Sequence, residues 1–381
     1  MSERVLVAMS GGVDSSVAAA RLVREGFDVV GATLHLWDYP DDGSVRGRCC
    51  APEDIHDARR VADRLGIPHY SFDRRELFAE RIVAPFVDAY LAGETPSPCA
   101  NCNRGVKLGE LFGIADRLGA SRLATGHYAR IGEHAGFPAL YRGGDRQKDQ
   151  SYFLHMLPAE ALSKLCFPLG ASSKAEVREE ARALGLPGAE KSESQELCFV
   201  PSGRYDTFIE ERAGDRVRPG PIIDGAGRIV GEHGGVHRFT VGQRKNLGVA
   251  LGERAYVVGV EPATATVRLG SREELVTEAA SVVELQLAPG VSLPLRAQVQ
   301  VRHRAAPVDC TVQAAPGGAL VVFDTPIVAV VKGQHAVFYD ADRVLGGGVI
   351  DGTARAGEVA PAGAQRRATS STTLEAGEVP A

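Results

Sequence analysis

Short apolar runs alternate with amphipathic stretches through the first half of the chain. The runs are "VLVAM" (5–9), "DVVGATL" (28–34), "PHYSF" (68–72) and "RLATG" (122–126), each of strand length. Between the second and third, "PEDIHDARRVADRLGIP" places Ile55, Ala58, Val61, Ala62 and Leu65 at helical spacing, and segments 76–92 and 104–118 repeat that period. Strand-helix-strand units of this kind predict a parallel sheet covered on both faces, with ligands beyond the carboxyl ends of its strands. Farther on, "SSKAEVREEARALGLP" opens with the capping-box pair Ser173 and Glu176 and stops at a proline, and the loop "GAEKSESQELCF" follows.

From about residue 205 the pattern changes to glycine turns between short strands, including the hairpin-like "IIDGAGRIV". From about 277 nearly everything alternates with period two: "SVVELQL", "RAQVQVRH", "DCTVQAA", "ALVVFD", "IVAVVKG" and "HAVFYD". Such a series predicts a small closed or nearly closed antiparallel β-barrel. The expected organisation is an α/β parallel-sheet domain over 1–204, a small β-rich central domain over 205–276, a C-terminal β-barrel over 277–352, and a disordered tail over 353–381 that lacks bulky apolar periodicity.

Length and composition narrow this picture. A chain of 381 residues exceeds one ordinary core, and its 44% hydrophobic content contains no apolar run near the roughly 20 residues of a membrane span. The opening "MSER" leads directly into a strand, leaving no room for a signal peptide, so the expected compartment is the cytoplasm. Seven cysteines, an odd number, read as reduced thiols rather than a secreted disulfide framework. A net charge of -5 excludes a uniformly basic coat for nucleic acid but leaves room for local basic stripes.

The candidate chemistry begins at "VAMSGGVDSS" (7–16). Glycines let backbone N–H groups approach an anion at a helix start, Ser10, Ser15 and Ser16 add hydroxyls, and Asp14 is a candidate magnesium ligand. The lysine of the commoner phosphate loop is missing, which fits a loop that cradles the pyrophosphate of ATP while the α-phosphorus is attacked. The alternative is a plain strand-to-helix turn capped by Ser10. Cys99 and Cys102 form a CxxC just ahead of a predicted helix, whose N-terminus would favour a thiolate, and Cys198 lies in a polar loop. The adjacent Cys49 and Cys50 lack the usual spacing for zinc with Cys99 and Cys102, and with Cys166 and Cys310 they read as structural. "GHYAR" puts Gly126 and His127 at a strand's carboxyl end. Lys148 in "KDQSYF" and Arg238, Arg244 and Lys245 in "RFTVGQRKN" are local basic groups. In "RAQVQVRHR" the even positions Arg296, Gln298, Gln300, Arg302 and Arg304 form a row opposite Ala297, Val299, Val301 and His303. That row suits phosphate contact; taken alone, it also describes a solvated strand face.

"SGGVDSS" resembles the signature of the PP-loop ATP pyrophosphatases. Together with "ETPSPCANCNRGVKLGEL", "ATGHYAR", "KDQSYFL", "SQELCF", "FTVGQRKNLGV" and "LGGGVI", in matching order over residues 3–352, the chain resembles the tRNA 2-thiouridylases of the bacterial MnmA family. The resemblance implies a PP-loop α/β fold and ATP-dependent 2-thiolation of the wobble uridine, with ATP and Mg2+ as cofactors. It implies ATP contacts at Ala8, Met9, Ser10, Gly11, Gly12, Val13, Asp14, Ser15 and Gly126, with Leu34 on the adenine where relatives often carry methionine. Cys102 is implied as nucleophile and Cys198 as persulfide carrier, the two joining in a disulfide as sulfur is released. Ser97, Pro98 and Cys99 fall where the family meets the target base, although Ser97 replaces its usual asparagine. His127, Lys148, Asp149, Gln150, Arg302, His303 and Gln334 fall at tRNA contacts. A cysteine desulfurase or a sulfur-carrier protein is the implied donor. Cys99, Cys102 and Cys198 also offer three thiolates for an iron-sulfur cluster. Other readings are a PP-loop enzyme that adenylates for amidation, or a non-catalytic tRNA-binding iron-sulfur module.

Overall fold

The computed structural model describes residues 2–38, 52–189, 197–200, 203–249, 252 and 254–354. Cys49, Cys50, most of the loop before Cys198 and the tail from 355 onward lie outside the described residues. The first sheet takes β1 (Arg4–Ala8), β2 (Asp28–His35), β3 (His69–Asp73), β4 (Arg122–Ala124) and, after a hairpin of β5 (Ala129–His134) and β6 (Phe137–Arg142), β7 (Leu165–Cys166). All its pairings are parallel, in the order β3-β2-β1-β4-β7.

Alternation along β1 and β2 explains the two covered faces. Val5, Val7 and Val29 join a core with Val17 and Leu22 of helix Val13–Arg24, Ala58 and Val61 of helix Pro52–Leu65, and Val177 and Ala181 of helix Lys174–Ala183. Leu6, Val30, Ala32 and Leu34 face the other way, onto Phe86, Leu108 and Leu111. Helical structure over 75–91 and over 98–117 each includes a wider π stretch, at Ala79–Val83 and at Asn103–Lys107. Such stretches often mark functional positions.

Beyond helix Tyr205–Ala213, whose Phe208 and Ile209 are buried in the same core as Leu6, Phe86 and Leu108, come β8 (Gly220–Ile223), β9 (Ile229–His233), β10 (Tyr256–Glu261) and β11 (Thr266–Gly270). They form a four-stranded sheet, and "IIDGAGRIV" is the β8–β9 hairpin. The last six strands are β12 (Val276–Leu287), β13 (Leu295–Gln300), β14 (Val308–Ala315), β15 (Gly318–Val328), β16 (His335–Asp340) and β17 (Arg343–Ala354). Their order β12-β15-β14-β13-β16-β17 closes through β12–β17 into an antiparallel barrel around Val299, Cys310, Val312, Val321, Phe338 and Ile350. β17 also pairs with β6, through Arg343 and Tyr141, so the barrel is tied to the first domain.

Around that tie the packing is polar and specific. The Tyr152 hydroxyl donates to the His335 carbonyl at 3.0 Å and accepts from its N–H at 3.3 Å, while the Arg142 guanidinium lies 3.4 Å from the centre of the Tyr339 ring. His155 and His335 are buried with ring centres 5.0 Å apart, and His155 Nε2 and His335 Nδ1 have no hydrogen-bond partner. Burial does most to push His155 down to about 3, with smaller contributions from the charges of His335 and Arg104, and His335 down to about 4, with a smaller contribution from Arg104.

Both imidazoles fold neutral and gain protons on unfolding. Their contribution is therefore intact above about pH 6.5 and is lost as the pH falls towards 4, by about 1.4 kcal/mol per pH unit for each. Urea unfolding of the His155→Gln variant between pH 6 and 4 should show a pH slope shallower by about one proton; an unchanged slope would mean that His155 does not titrate on unfolding.

Candidate functional site

β1 ends at Ala8, and the chain turns through Met9, Ser10 and Gly11 to the extended Gly12 that precedes helix Val13–Arg24. The first N–H groups of that helix have no carbonyl of their own to bond, which makes its start a natural anion cradle. Gly12 carries no side-chain cap, and only Ser10 Oγ, at 3.5 Å, would lie near a Cβ placed there. Hydroxyls line the turn: Ser15 and Ser16 both donate to the Gly12 carbonyl, and the Ser10 N–H donates to Ser15 Oγ. The eight loop residues expected from the sequence, Ala8 to Ser15, are thus contiguous at the carboxyl end of β1. Gly126 joins them, because a Cβ on it would sit 2.8 Å from the Asp14 carbonyl carbon and the Ser15 nitrogen. Leu34 is buried near the end of the neighbouring strand β2. The open hydroxyl-lined cradle suits the phosphates of a nucleotide.

Asp14 does not stand as an open metal ligand. Its Oδ1 accepts from the Tyr128 hydroxyl at 2.7 Å and from Lys174 Nζ at 2.7 Å, and its Oδ2 accepts from the same ammonium at 2.8 Å. An ammonium already fills the cation position on both oxygens, so this carboxylate does not fit direct magnesium coordination.

The CxxC lies differently from expectation. The helix starts at Pro98, ahead of both cysteines, so Cys99 sits at its exposed start and Cys102 a turn further in. The expected thiolate is opposed by desolvation: burial pushes the Cys102 thiol up, and the charge and backbone N–H of Lys107, within the π stretch, pull it down by less. Lys107 also lowers His127, although burial does most of the work of bringing that imidazole down to about 3, and the Thr125 hydroxyl lies 2.7 Å from its Nδ1. Gly126 thus touches the phosphate loop, His127 follows it in sequence, and the Lys107 charge acts on both His127 and Cys102.

Cys198 borders the same core as Cys102. Its neighbour Phe199 is buried in an aromatic cluster, with ring centres 5.0 Å from Phe86, 5.4 Å from Phe208 and 5.6 Å from Phe78. No disulfide joins cysteines among the described residues. Nor, among the described residues, do three His, Cys, Asp or Glu side chains form a group able to hold a metal, so the iron-sulfur reading of Cys99, Cys102 and Cys198 gains no support.

The barrel supplies the other wall. Gln334 Nε2 donates to the Thr95 carbonyl at 2.8 Å, and the Thr95 N–H donates to the Lys332 carbonyl at 2.9 Å, bringing the barrel against the "TPSPC" segment where Ser97 and Pro98 are buried. A cavity of about 810 Å³ is lined by Arg142, Arg146, Lys148 and Arg304 as well as Asp149 and Asp342. Asp149 turns inward: its carboxylate accepts from Arg142, from the Gly143 and Ser151 N–H groups and from the Ser151 hydroxyl, so it shapes the loop that carries Lys148 and Gln150. Gln150 Oε1 is likewise taken by the Tyr128 N–H. His303 packs on Phe153 with ring centres 4.5 Å apart.

The expected even-numbered row along "RAQVQVRHR" is shorter than its period implied. β13 ends at Gln300, which is buried and accepts from Arg142; Arg296 is exposed but held by Asp324 at 2.6 Å; Arg302 and Arg304 are exposed beyond the strand, at a turn where Arg304 has a φ of +63°. Tyr128, Lys107 and Lys174 were not singled out from the sequence. Tyr128 stands inside the quoted "GHYAR", whereas Lys174 is 160 residues from the carboxylate it meets and carries no local signal.

The environment of Cys102 generates an expectation for alkylation kinetics in the ligand-free protein. Cys99 should react with iodoacetamide before Cys102, and Lys107→Met should slow Cys102 further, as read by peptide mass spectrometry over a pH series. Faster labelling of Cys102 in that variant would contradict the assigned influence of Lys107.

Residues 3–202 match the family described as the tRNA methyl transferase HUP domain, 206–271 the tRNA methyl transferase PRC-barrel domain, and 271–350 the aminomethyltransferase beta-barrel domain. The tRNA-specific 2-thiouridylase MnmA of Sorangium cellulosum is 62% identical over 358 residues, covering 92% of this chain and 93% of that protein. Proteins of the same name from Solibacter usitatus and Syntrophotalea carbinolica are each 46% identical, covering 91% and 92% of this chain and 99% of their own length.

Proposed function

The chain belongs to the tRNA-specific 2-thiouridylase MnmA family, and from that premise we propose that it replaces O2 of the wobble uridine of tRNA with sulfur at the expense of ATP. The observation that supports the proposal is the main-chain contact of Gly126 with the phosphate loop, beside a His127 that feels the same Lys107 charge as Cys102.

ATP lies with its phosphates on the turn Ser10–Gly12 and the first N–H groups of helix Val13–Arg24, beside Gly126, with its adenine towards Leu34. Uracil O2 attacks the α-phosphorus, the bond from that phosphorus to the bridging oxygen breaks, and pyrophosphate leaves. The oxygen at C2 is thereby converted into part of a good leaving group, AMP. Sulfur arrives as a persulfide on Cys198, loaded by a cysteine desulfurase or a sulfur-carrier protein. The Cys102 sulfur attacks the Cys198 sulfur, a disulfide forms between them, and the terminal sulfur is released to attack C2 and expel AMP. A dithiol or equivalent two-electron reductant then resets the pair, as suits a reducing cytoplasm. Desolvation keeps Cys102 protonated in the resting protein, and the Lys107 charge favours the thiolate when the site is engaged. No helix among the described residues is long and apolar enough to cross a membrane.

The tRNA lies across both domains. Ser97, Pro98 and Cys99 face the target base, and Lys148, His127, His303, Gln334, Arg302 and the loop held by Asp149 surround it. Backbone phosphates set the affinity through the exposed arginines.

Cys102→Ser and Cys198→Ser should each abolish 2-thiouridine formation while leaving ATP and tRNA binding intact; ordinary thiouridine yield from either variant, read by nucleoside mass spectrometry, would reject the assigned roles. Replacing Arg302 and Arg304 together by glutamate should weaken tRNA binding and reduce the slope of log affinity against log salt by about 1.5 to 2. An unchanged slope would remove these arginines from the interface.

A further inference from the structure

The phosphate loop lacks a lysine within its own sequence, and the fold delivers one from elsewhere. Lys174 is the first residue of helix Lys174–Ala183, whose start is fixed by the reciprocal Ser173–Glu176 capping box and by Asp145, which accepts from the Lys174 N–H at 3.1 Å. Arg21 clamps that helix to the phosphate-loop helix. It donates to Glu180 at 2.9 and 2.6 Å, to the Pro168 carbonyl at 2.8 Å and to Ser172 at 2.8 Å. The lysine stem is buried, its side chain only 10% exposed, and its ammonium emerges against Asp14 in the first turn of helix Val13–Arg24. Two helices far apart in sequence are thus locked together so that a cation stands at the anion-binding end of one of them.

Asp14 on its own would be a liability there, since a bare carboxylate repels a polyanionic ligand at the same helix start. With both oxygens bonded to Lys174 and one also to the Tyr128 hydroxyl, its charge is neutralised by the protein rather than by a metal. We propose that Lys174 is the phosphate-contacting cation of this loop, held on Asp14 in the ligand-free protein and shared with the β- and γ-phosphoryl oxygens of ATP when the nucleotide binds. Lys174 then stabilises the pyrophosphate as the bond from the α-phosphorus to its bridging oxygen breaks and that oxygen takes the electron pair. Asp14 orients the ammonium. This inference rests on ATP occupying the Ser10–Ser15 loop.

Titration calorimetry of the full chain with ATP and with AMP, both with magnesium, tests it. Lys174→Met alone leaves Asp14 without its ion-pair partner, so the Asp14→Asn/Lys174→Met double variant, which removes both charges, is the informative one. The proposal expects the double variant to keep AMP affinity and wild-type thermal stability while losing about tenfold or more in ATP affinity, the scale of one charge-assisted hydrogen bond. Asp14→Asn alone should retain magnesium-dependent ATP binding. Wild-type affinity for ATP in the double variant would reduce Lys174 to a partner for Asp14 and overturn the proposal, as would loss of magnesium dependence in Asp14→Asn. If the wild-type chain itself failed to bind ATP, the assignment of the loop would fall first and this inference with it.

Discussion

The close approach of three backbone segments around one glycine turn governs the rest of the site. Gly11, with a φ of +72°, lies so near the start of helix Pro52–Leu65 that a Cβ would meet the Asp54 carbonyl oxygen at 2.2 Å. Gly126 abuts the other flank of the turn, at Asp14 and Ser15. No side chain fits at either place, so the position of the turn relative to β4 and to the helix at 52–65 is set by main-chain contact alone. Because His127 follows Gly126 directly, that contact also sets where His127 stands beside the phosphate cradle, and the Lys107 charge reaches both His127 and Cys102.

The second determinant is how the barrel meets the first domain. Its polar contacts there include Gln334 to Thr95, Tyr152 to His335, and Arg142 to Gln300 and the face of Tyr339, beside Val337 and Val344 packed into the first domain's apolar core. Buried polar groups reward one geometry and penalise others, which suits an interface with a cavity between the Arg142–Asp149 loop and the barrel. Asp149 illustrates the division of labour. Its carboxylate is consumed inside the loop, where it fixes the placement of its neighbours Lys148 and Gln150.

Much of this was legible in the sequence, for identifiable reasons. Period-two and period-3.6 patterns exposed β1 to β4, the helices between them and five of the six barrel strands, because each buries one face or both; β17, which runs to Ala354 past the expected start of the tail at 353, was not among them, and "IVAVVKG" is the end of β15 and the turn after it rather than a strand of its own. The two-residue strand Leu165–Cys166 was too short to carry a period, and the β5–β6 hairpin was missed inside a stretch read only for "GHYAR". At the site, the glycine turn and the CxxC announced themselves by local spacing. The sequence could not convey the desolvation that raises the Cys102 thiol, the inward turn of Asp149, or the pairing of Arg296 with Asp324, since each depends on residues brought together by folding. The row from Arg296 to Arg304 was overextended because its apolar partners Val299 and Val301 continue the alternation one step past the point where the strand ends.

If nucleotide activation of a carbonyl oxygen and sulfur delivery share one rim, the fate of that oxygen is fixed. The direct measurement is a single-turnover reaction with tRNA carrying oxygen-18 at O2 of its wobble uridine, supplied with ATP and a persulfide donor and analysed by mass spectrometry of nucleotides and nucleosides. The label is predicted in the phosphate of AMP, in equal amount to the 2-thiouridine formed. Label released to water, or found in pyrophosphate, alongside thiolated product would contradict adenylation at that oxygen.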